Sequence, residues 1–447
     1  MTYELFCNSV RGSSHIRKGT PCEDYGIKID CGEFKIFAVA DGHGDPNCLR
    51  SNIGSKYICQ IASEELEDFA LTIKEQAWEE KLFDKHDAMQ LVERLTLSIV
   101  GKWANAVGEE LEQNPLSEEE IQKAPAYAKE YIKGIRTERM YGTTLIAGLQ
   151  TERYLLLLQQ GDGRCDVFDS EGNVSQPIPW DDRCVGTVTT SLCDNDAAQS
   201  CRYHIIDLQK NPVIACIAGT DGVEDSFPTS MEKTHAFYRD LLRYACENGI
   251  QALEDHLVDE LNDLSANGSA DDITVSGIID IERVNPFLNA FAEKNSLVDL
   301  EEEVTLLIGK VKSIEEGGKF QHLAKKYNDS VAAYEKAERR YHDLSVACEA
   351  LAETISAHEQ GVPTNQSEIN SWTDLIRKLI LPQDSLSLVK QNYVRKCSER
   401  DVAKEELRIA TEKKAAAEKE YLPYKERYDS FVQMRDDAIK RLNELKG

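Results

Sequence analysis

One pattern occurs three times in this chain and constrains its fold more than any other: an apolar run that stops at an Asp-Gly pair. Phe34, Ile36, Phe37, Ala38 and Val39 lead into Asp41-Gly42-His43-Gly44-Asp45. Tyr154 to Gln160 leads into Gly161-Asp162-Gly163-Arg164, and Pro212 to Ala218 into Gly219-Thr220-Asp221-Gly222-Val223-Glu224-Asp225. Such runs read as buried strands. A carboxylate at the mouth of a buried strand is costly to desolvate unless something cationic sits beside it. The flanking glycines let backbone approach a ligand closely. A fourth cluster, Gly268-Ser269-Ala270-Asp271-Asp272, opens the strand ITVSGIIDI instead of closing one. A fifth, Glu23-Asp24, ends the polar loop RGSSHIRKGTPCED, which also holds His15, Arg17 and Lys18. Taken singly, each cluster also fits a polar turn with Asp as a cap.

The rest of the chain sorts around these points. Residues 3–10, 24–29 and 34–40 read as short strands, and 48–139 as helices with apolar residues at three- and four-residue spacing. From Gly142 the period becomes strand-like, with GTTLIAGLQ and YLLLLQQ separated by Thr151-Glu152-Arg153 as in a hairpin. Residues 175–202 read as an irregular surface flap and Cys201–Leu208 as a strand. Two helical segments follow, EKTHAFYRDLLRYACEN and IQALEDHLVDELNDLSAN. A break falls near Val284-Asn285-Pro286. Beyond it, Leu297, Leu300, Val304, Leu307, Val311 and Ile314 mark an amphipathic helix that Gly317-Gly318 ends. Heptad series then run from Phe320 to Ile355 and from Leu407 to Leu445, through Tyr327, Tyr334, Tyr341, Tyr421, Tyr424 and Tyr428. They predict an antiparallel helical hairpin, or arms pairing between chains, with the tyrosines as packing seams. The loop Gly361-Val362-Pro363 interrupts them. A short helix is expected around Trp372 and Pro382, where IRKLILP reads as core or as a docking tip. The domains expected are 1–285, a linker and amphipathic helix over 286–317, and a helical coiled-coil-like domain over 318–447.

Charge separates these parts. The 447-residue chain carries a net charge of -27. Residues 1–285 hold 50 acidic and 26 basic side chains, against 29 and 26 in the remainder. So acidic a chain lacks the basic surface that nucleic acids or anionic membranes require. The 13 cysteines are scattered, with no CxxC pair, which argues against a zinc site or disulfide framework and fits a reducing cytosol. The start MTYELFCNSV has neither the basic region nor the apolar core of a signal peptide, and no apolar run is long enough to span a membrane. A cytoplasmic location is expected.

If the strands share one β-core with their acidic ends together, Glu23, Asp24, Asp41, Asp162, Asp221, Asp225, Asp271 and Asp272 converge. Uncompensated, they would repel and take up protons. Hard divalent cations relieve this, and all-oxygen donors, with a glycine carbonyl such as that of Gly42, point to Mg²⁺ or Mn²⁺ over zinc. Two such ions sharing an Asp can hold a bridging water and lower its pKa, which is chemistry for phosphoester hydrolysis. The chain has neither a GxSxG elbow nor a Cys-based phosphatase loop to supply a covalent nucleophile.

The ordered set HIRKGTPCED, VADGHGD, YGTTLIA, QQGDGRCDVF, GTDGVEDSF and GSADDITV resembles the metal-dependent PP2C (PPM) serine/threonine protein phosphatases, in particular their bacterial branch. The resemblance covers about residues 5–282. It implies an α+β fold: a β-sandwich of two antiparallel sheets flanked by helices, to which the heptads add an all-α C-terminal hairpin or coiled coil. It also implies a two-metal centre. Asp41 aligns with the bridging ligand, Gly42 with the carbonyl ligand, Glu23 with the second metal's ligand and Asp24 with its water-holding neighbour. Asp221 and Asp271 align with ligands of the first metal, and Asp162 with the Asp tied in the family to a third, weaker metal. His43 aligns with the general acid, and Asp225 and Asp272 with supporting positions. The chain departs from the family where many members carry a phosphate-binding Arg five residues before Asp24. Gly19 stands there, and Arg17 or Lys18 is expected to reach the substrate phosphate in its place. The family's motif leading into the flap is not recognisable in 175–200.

The expectation is therefore a phosphatase acting on phosphoproteins, with a cognate Ser/Thr kinase as counterpart. Its C-terminal helices would dimerise, target or regulate it, and neither nucleic acid nor membrane is a partner. The competing readings are a PP2C-fold interaction protein of little turnover that works through its helical arm, and a phosphatase for a small phosphoester.

Overall fold

The structure is a computed structural model that describes residues 2–124, 127–186, 188–227, 230–359 and 385–446. The loop at Gly361-Val362-Pro363 and the helix expected around Trp372 and Pro382 lie outside the described residues. The chain divides into two compact units, 1–298 and 299–447.

The first unit is a sandwich. Its strands are β1 (Glu4–Val10), β2 (Tyr25–Asp30), β3 (Lys35–Ala40), β4 (Leu145–Gln150), β5 (Tyr154–Gln160), β6 (Arg164–Asp169), β7 (Val174–Ser175), β8 (Arg202–Asp207), β9 (Val213–Gly219) and β10 (Ile273–Ile279). They form two five-stranded sheets, ordered β1-β10-β9-β6-β7 and β2-β3-β4-β5-β8. Every pairing is antiparallel. The helices that matter below are α1 (Ser13–Lys18), α2 (Ser51–Glu75), α3 (Lys85–Gln113), α4 (Asp221–Asp225), α5 (Met231–Asn248), α6 (Ile250–Asn267), α7 (Leu288–Glu316), α8 (Lys319–Glu359) and α9 (Ser385–Lys446).

Strand alternation assigns the layers. Phe37 and Val39 of β3 meet Leu155, Leu157, Cys216, Ala218 and Ile278 between the sheets. Ile36 and Ala38 face the other way, onto Ile58 and Leu66 of α2 and Ile99 and Trp103 of α3. The outer face of the first sheet, with Ile217, Val275 and Ile279, packs on Leu241 and Leu242 of α5 and Leu253 and Leu257 of α6. Both faces of each sheet are thus covered, so β5, β9 and β10 are buried at every position. Such strands read as continuous apolar runs.

Two segments are more ordered than the sequence predicts. The polar loop before Glu23 contains α1, which ends at Gly19 with φ +73°, a left-handed stop that glycine adopts freely. The expected surface flap is anchored by Ile178, Cys184, Leu192 and Ala197, all buried. Near residue 285 the chain stays helical, through the turns Ile281–Val284 and Asn285–Phe287 into α7.

In the second unit α8 and α9 run antiparallel. Ion pairs Lys326–Glu420, Arg340–Glu406 and Glu359–Lys390 fix the direction. Phe320 stacks on Tyr428 at 5.0 Å between ring centroids, and Tyr327 on Tyr421 at 5.2 Å. Val304 and Leu307 of α7 bury against Ala438 of α9. The tyrosine stripe is a packing seam, and it is filled from within one chain.

Candidate metal centre

Antiparallel order alone brings the acids together. β3 and β5 end, and β4 begins, at one end of the second sheet. β9 ends and β10 begins at the matching end of the first. There a cavity of about 760 Å³ opens, lined by Glu23, Asp41, Gly42, His43, Asp162, Asp221, Asp225, Asp271 and Asp272, together with Lys18. Asp24 is buried and does not line it, and neither does Arg17, which is exposed and donates to Ser13 Oγ at 3.3 Å.

The backbone around Asp41 is clamped. Its N–H donates to Thr144 Oγ1 at 3.0 Å, and its carbonyl accepts from Thr144 N at 2.8 Å and Thr143 Oγ1 at 2.9 Å. The Gly42 N–H donates to the Glu23 carbonyl at 3.2 Å, which ties the first acid-bearing loop to the second. A Cβ at residue 42 would lie 2.6 Å from that carbonyl oxygen, so no side chain fits.

Asp272 holds the opposite wall. Its Oδ1 accepts from Gly12 N at 2.5 Å, and its Oδ2 from Glu23 N at 2.6 Å and His15 Nδ1 at 2.8 Å. A carboxylate with these partners fixes loops. Asp24 Oδ2 accepts from Thr220 Oγ1 at 2.8 Å, beside the start of α4. Asp271 is exposed on the cavity rim and takes the Asp272 N–H at 2.9 Å.

The electrostatics follow from the crowding. Burial, and then Asp221, push the Asp41 carboxyl well above the usual range. Burial, and then Asp162, raise Asp221 to about 7, while a hydrogen bond with Asp41 pulls the other way. Burial also raises Glu23 to about 7, against the pull of His15 and Ser51, and raises Asp24, with Asp272 adding to it. Asp225 is raised chiefly by burial. His43 moves the other way: burial lowers its proton affinity, which Asp162, Asp194 and Asp45 partly restore. Carboxyls whose proton affinity is raised by burial and by one another fit a hard cation's all-oxygen donor set. As the side chains lie, no group of three or more His, Cys, Asp or Glu among the described residues is gathered closely enough to hold a metal ion. The acids are arrayed around the cavity.

A match to the model of one family, protein phosphatase 2C, spans residues 11–262, more than half of the chain. This chain belongs to the protein phosphatase 2C family of serine/threonine phosphatases. No curated protein matches it. Among solved structures, a bacterial serine phosphatase shares 18% identity, covering 62% of this chain and 98% of its own, with a TM-score of 0.38. The serine/threonine phosphatase Stp1 from Staphylococcus aureus shares 16%, with coverage of 62% and 95% and a TM-score of 0.39. The catalytic domain of the protein phosphatase PstP, in complex with two manganese ions, shares 18%, with coverage of 62% and 97% and a TM-score of 0.36.

Within this phosphatase 2C domain the sequence reading missed part of the cavity wall. Tyr127, Arg139, Ser191, Cys193 and Asp194 also line it. The SLCDND stretch carried a weak signal, an acid flanked by small polar residues in a segment read as flap. Tyr127 and Arg139 carried none, because they sit in short turns beyond the reach of helix or strand periodicity.

Proposed function

We propose that the chain is a metal-dependent protein phosphatase that hydrolyses phosphoserine or phosphothreonine in proteins. The observation that supports this most is the meeting of strand-end carboxylates from both sheets around one cavity. Asp41, Glu23, Asp221, Asp271 and the Gly42 carbonyl would hold two Mg²⁺ or Mn²⁺ ions, with Asp24 behind them and Asp162 available to a third. Such ions, when bound, activate water and polarise the phosphoryl oxygens.

The chain's own groups do the rest. The clamp on the Asp41 backbone keeps its carboxyl aimed at Asp221. Asp272 ties the Gly12, His15 and Glu23 backbones and side chains into one wall. His43, whose backbone N–H donates to the Gly142 carbonyl at 3.1 Å, would deliver a proton to the leaving serine or threonine oxygen. Its neutral form is favoured by burial, and Asp45, Asp162 and Asp194 supply the opposing pull. The counterpart is a Ser/Thr kinase, the location is cytoplasmic, and the C-terminal helices serve dimerisation, targeting or regulation. No helix among the described residues is long and apolar enough to cross a membrane.

Hydrolysis of p-nitrophenyl phosphate with Mn²⁺, compared side by side with phosphopeptides and phosphorylated metabolites, tests the reading. Turnover that requires metal and favours phosphopeptides is expected, as is its loss in Asp41→Asn and Asp221→Asn. No turnover with Mn²⁺ between about pH 6 and 9, where general acids and bases of such sites operate, would contradict it.

A further inference from the structure

The acids of the cavity leave a problem: a phosphate dianion entering it meets carboxylates on most sides, and the loop before Asp24 has no arginine at the place where many relatives carry one. We propose that Arg139, from the other side of the cavity, grips the phosphoryl group of the substrate. This rests on the phosphatase reading above.

Four observations carry the assignment. Among the described residues lining the cavity, the only lysine or arginine side chains are Lys18 and Arg139. Lys18 is exposed at the end of the six-residue α1, whereas Arg139 is half-buried. The Arg139 guanidinium lies over the Tyr127 ring, 4.5 Å from its centroid. The planar fork of a guanidinium matches two phosphate oxygens at once. Among the described residues the Arg139 side chain makes no ion pair, although its cavity is rich in acids. Its position is also fixed relative to His43. The Arg139 carbonyl accepts from Gly142 N at 3.2 Å, and the Gly142 carbonyl accepts from His43 N at 3.1 Å. A Cβ at residue 142 would lie 2.8 Å from His43 Cδ2, so this turn packs directly on the histidine. The turn begins at Arg136 with φ +56°, a left-handed conformation that costs a non-glycine residue energy and is kept where structure demands it.

The arrangement gives a division of labour. Carboxylates for cations and a guanidinium for the anion share one cavity, and the proton-donating His43 is bonded to the turn that carries Arg139.

The test measures Mn²⁺-dependent p-nitrophenyl phosphate kinetics and the binding of inorganic phosphate by calorimetry with Mn²⁺ present. The variants are Arg139→Met, Arg139→Lys and Arg17→Ala. Methionine keeps an apolar stem over Tyr127 and removes the fork, which separates packing from anion binding. Loss of a charge-assisted hydrogen bond of this kind predicts a rise of about ten- to a hundredfold in KM and in the phosphate dissociation constant. Lysine should recover part of the loss, Arg17→Ala should change neither quantity, and Mn²⁺ affinity should hold in all three. Unchanged KM and phosphate affinity in Arg139→Met would overturn the proposal, as would losses that merely follow lost Mn²⁺ affinity. A wild type without turnover would contradict the phosphatase reading, and the calorimetric comparison of phosphate binding would still decide the role of Arg139.

Discussion

Two clusters of buried acids in the first unit show opposite electrostatics. In one, Arg50 sits at the centre: Nη1 donates to Glu110 Oε2 at 2.9 Å, to the Asn114 carbonyl at 2.7 Å and to Tyr141 Oη at 3.1 Å. Its Nε donates to Glu120 Oε1 at 2.9 Å. Hydrogen bonds from Arg50 lower Glu120 to about 2, with Ser117 at the start of its helix adding to the effect. In the other cluster, Glu23, Asp24, Asp41 and Asp221 are gathered with no lysine or arginine among them, and all are raised. Glu120 is the more exposed and sits against a guanidinium, so its shallower burial and the cation together make the difference. The Arg50 cluster is complete within the chain and fastens α2 to the segment after α3. The strand-end cluster is incomplete within the chain, and its fold holds it so. That contrast separates a set of carboxylates neutralised by an arginine from the set proposed to bind cations.

The contrast can be broken by substitution. Asp41→Asn should cut turnover by about a thousandfold or more, the scale on which members of a concerted site fail, while the protein stays folded. Circular dichroism and steady-state kinetics together would show it. Arg50→Met should do the reverse, costing about 3–5 kcal/mol of stability because Glu110 is left buried and uncompensated. Chemical denaturation measures that. Asp221→Asn removes a repelling charge, so the metal-free protein should melt about 2–4 °C higher. Glu110→Gln should melt lower by a similar amount, since it loses a charge-assisted bond. Equal signs for these last two would erase the distinction.

The pH dependence sharpens the same point. Glu23 and Asp221 titrate near 7 in the folded chain, against ordinary values of 4.5 and 3.8. A raised folded value means that their contribution is full below the ordinary value and is lost as pH rises through about 7. Glu120 has its folded value at about 2 against 4.5, so its contribution is present above 4.5 and is lost as pH falls through about 2. Metal-free protein should therefore lose stability on the alkaline side through the cavity and on the acid side through the Arg50 cluster. Mn²⁺ should rescue the alkaline loss alone, as melting curves across pH would register.

Much of this was legible in the chain. Asp41, Asp162 and Asp221 each end a run whose apolar length marks a strand, and Asp271-Asp272 opens one. Antiparallel pairing then leaves their convergence little freedom. The heptads of Phe320 to Ile355 and Leu407 to Leu445 likewise read directly as paired helices. Other features depend on contacts distant in sequence. Asp272 became a hub because Gly12, His15 and Glu23, some 250 residues earlier, turn their N–H groups toward it. α1 lay hidden in SSHIRK because six residues are too few to show a period. Arg139 carried no signal, since its place beside His43 is set by the Gly142 turn and the Tyr127 ring.

The central claim is that the strand-end acids form a site for divalent cations. Calorimetric titration of Mn²⁺ into wild type and Asp41→Asn near neutral pH tests it most directly. Saturable binding of two ions by the wild type, with binding lost or sharply weakened in the variant, is the predicted result. Superimposable isotherms from the two proteins, or no binding by either, would contradict it.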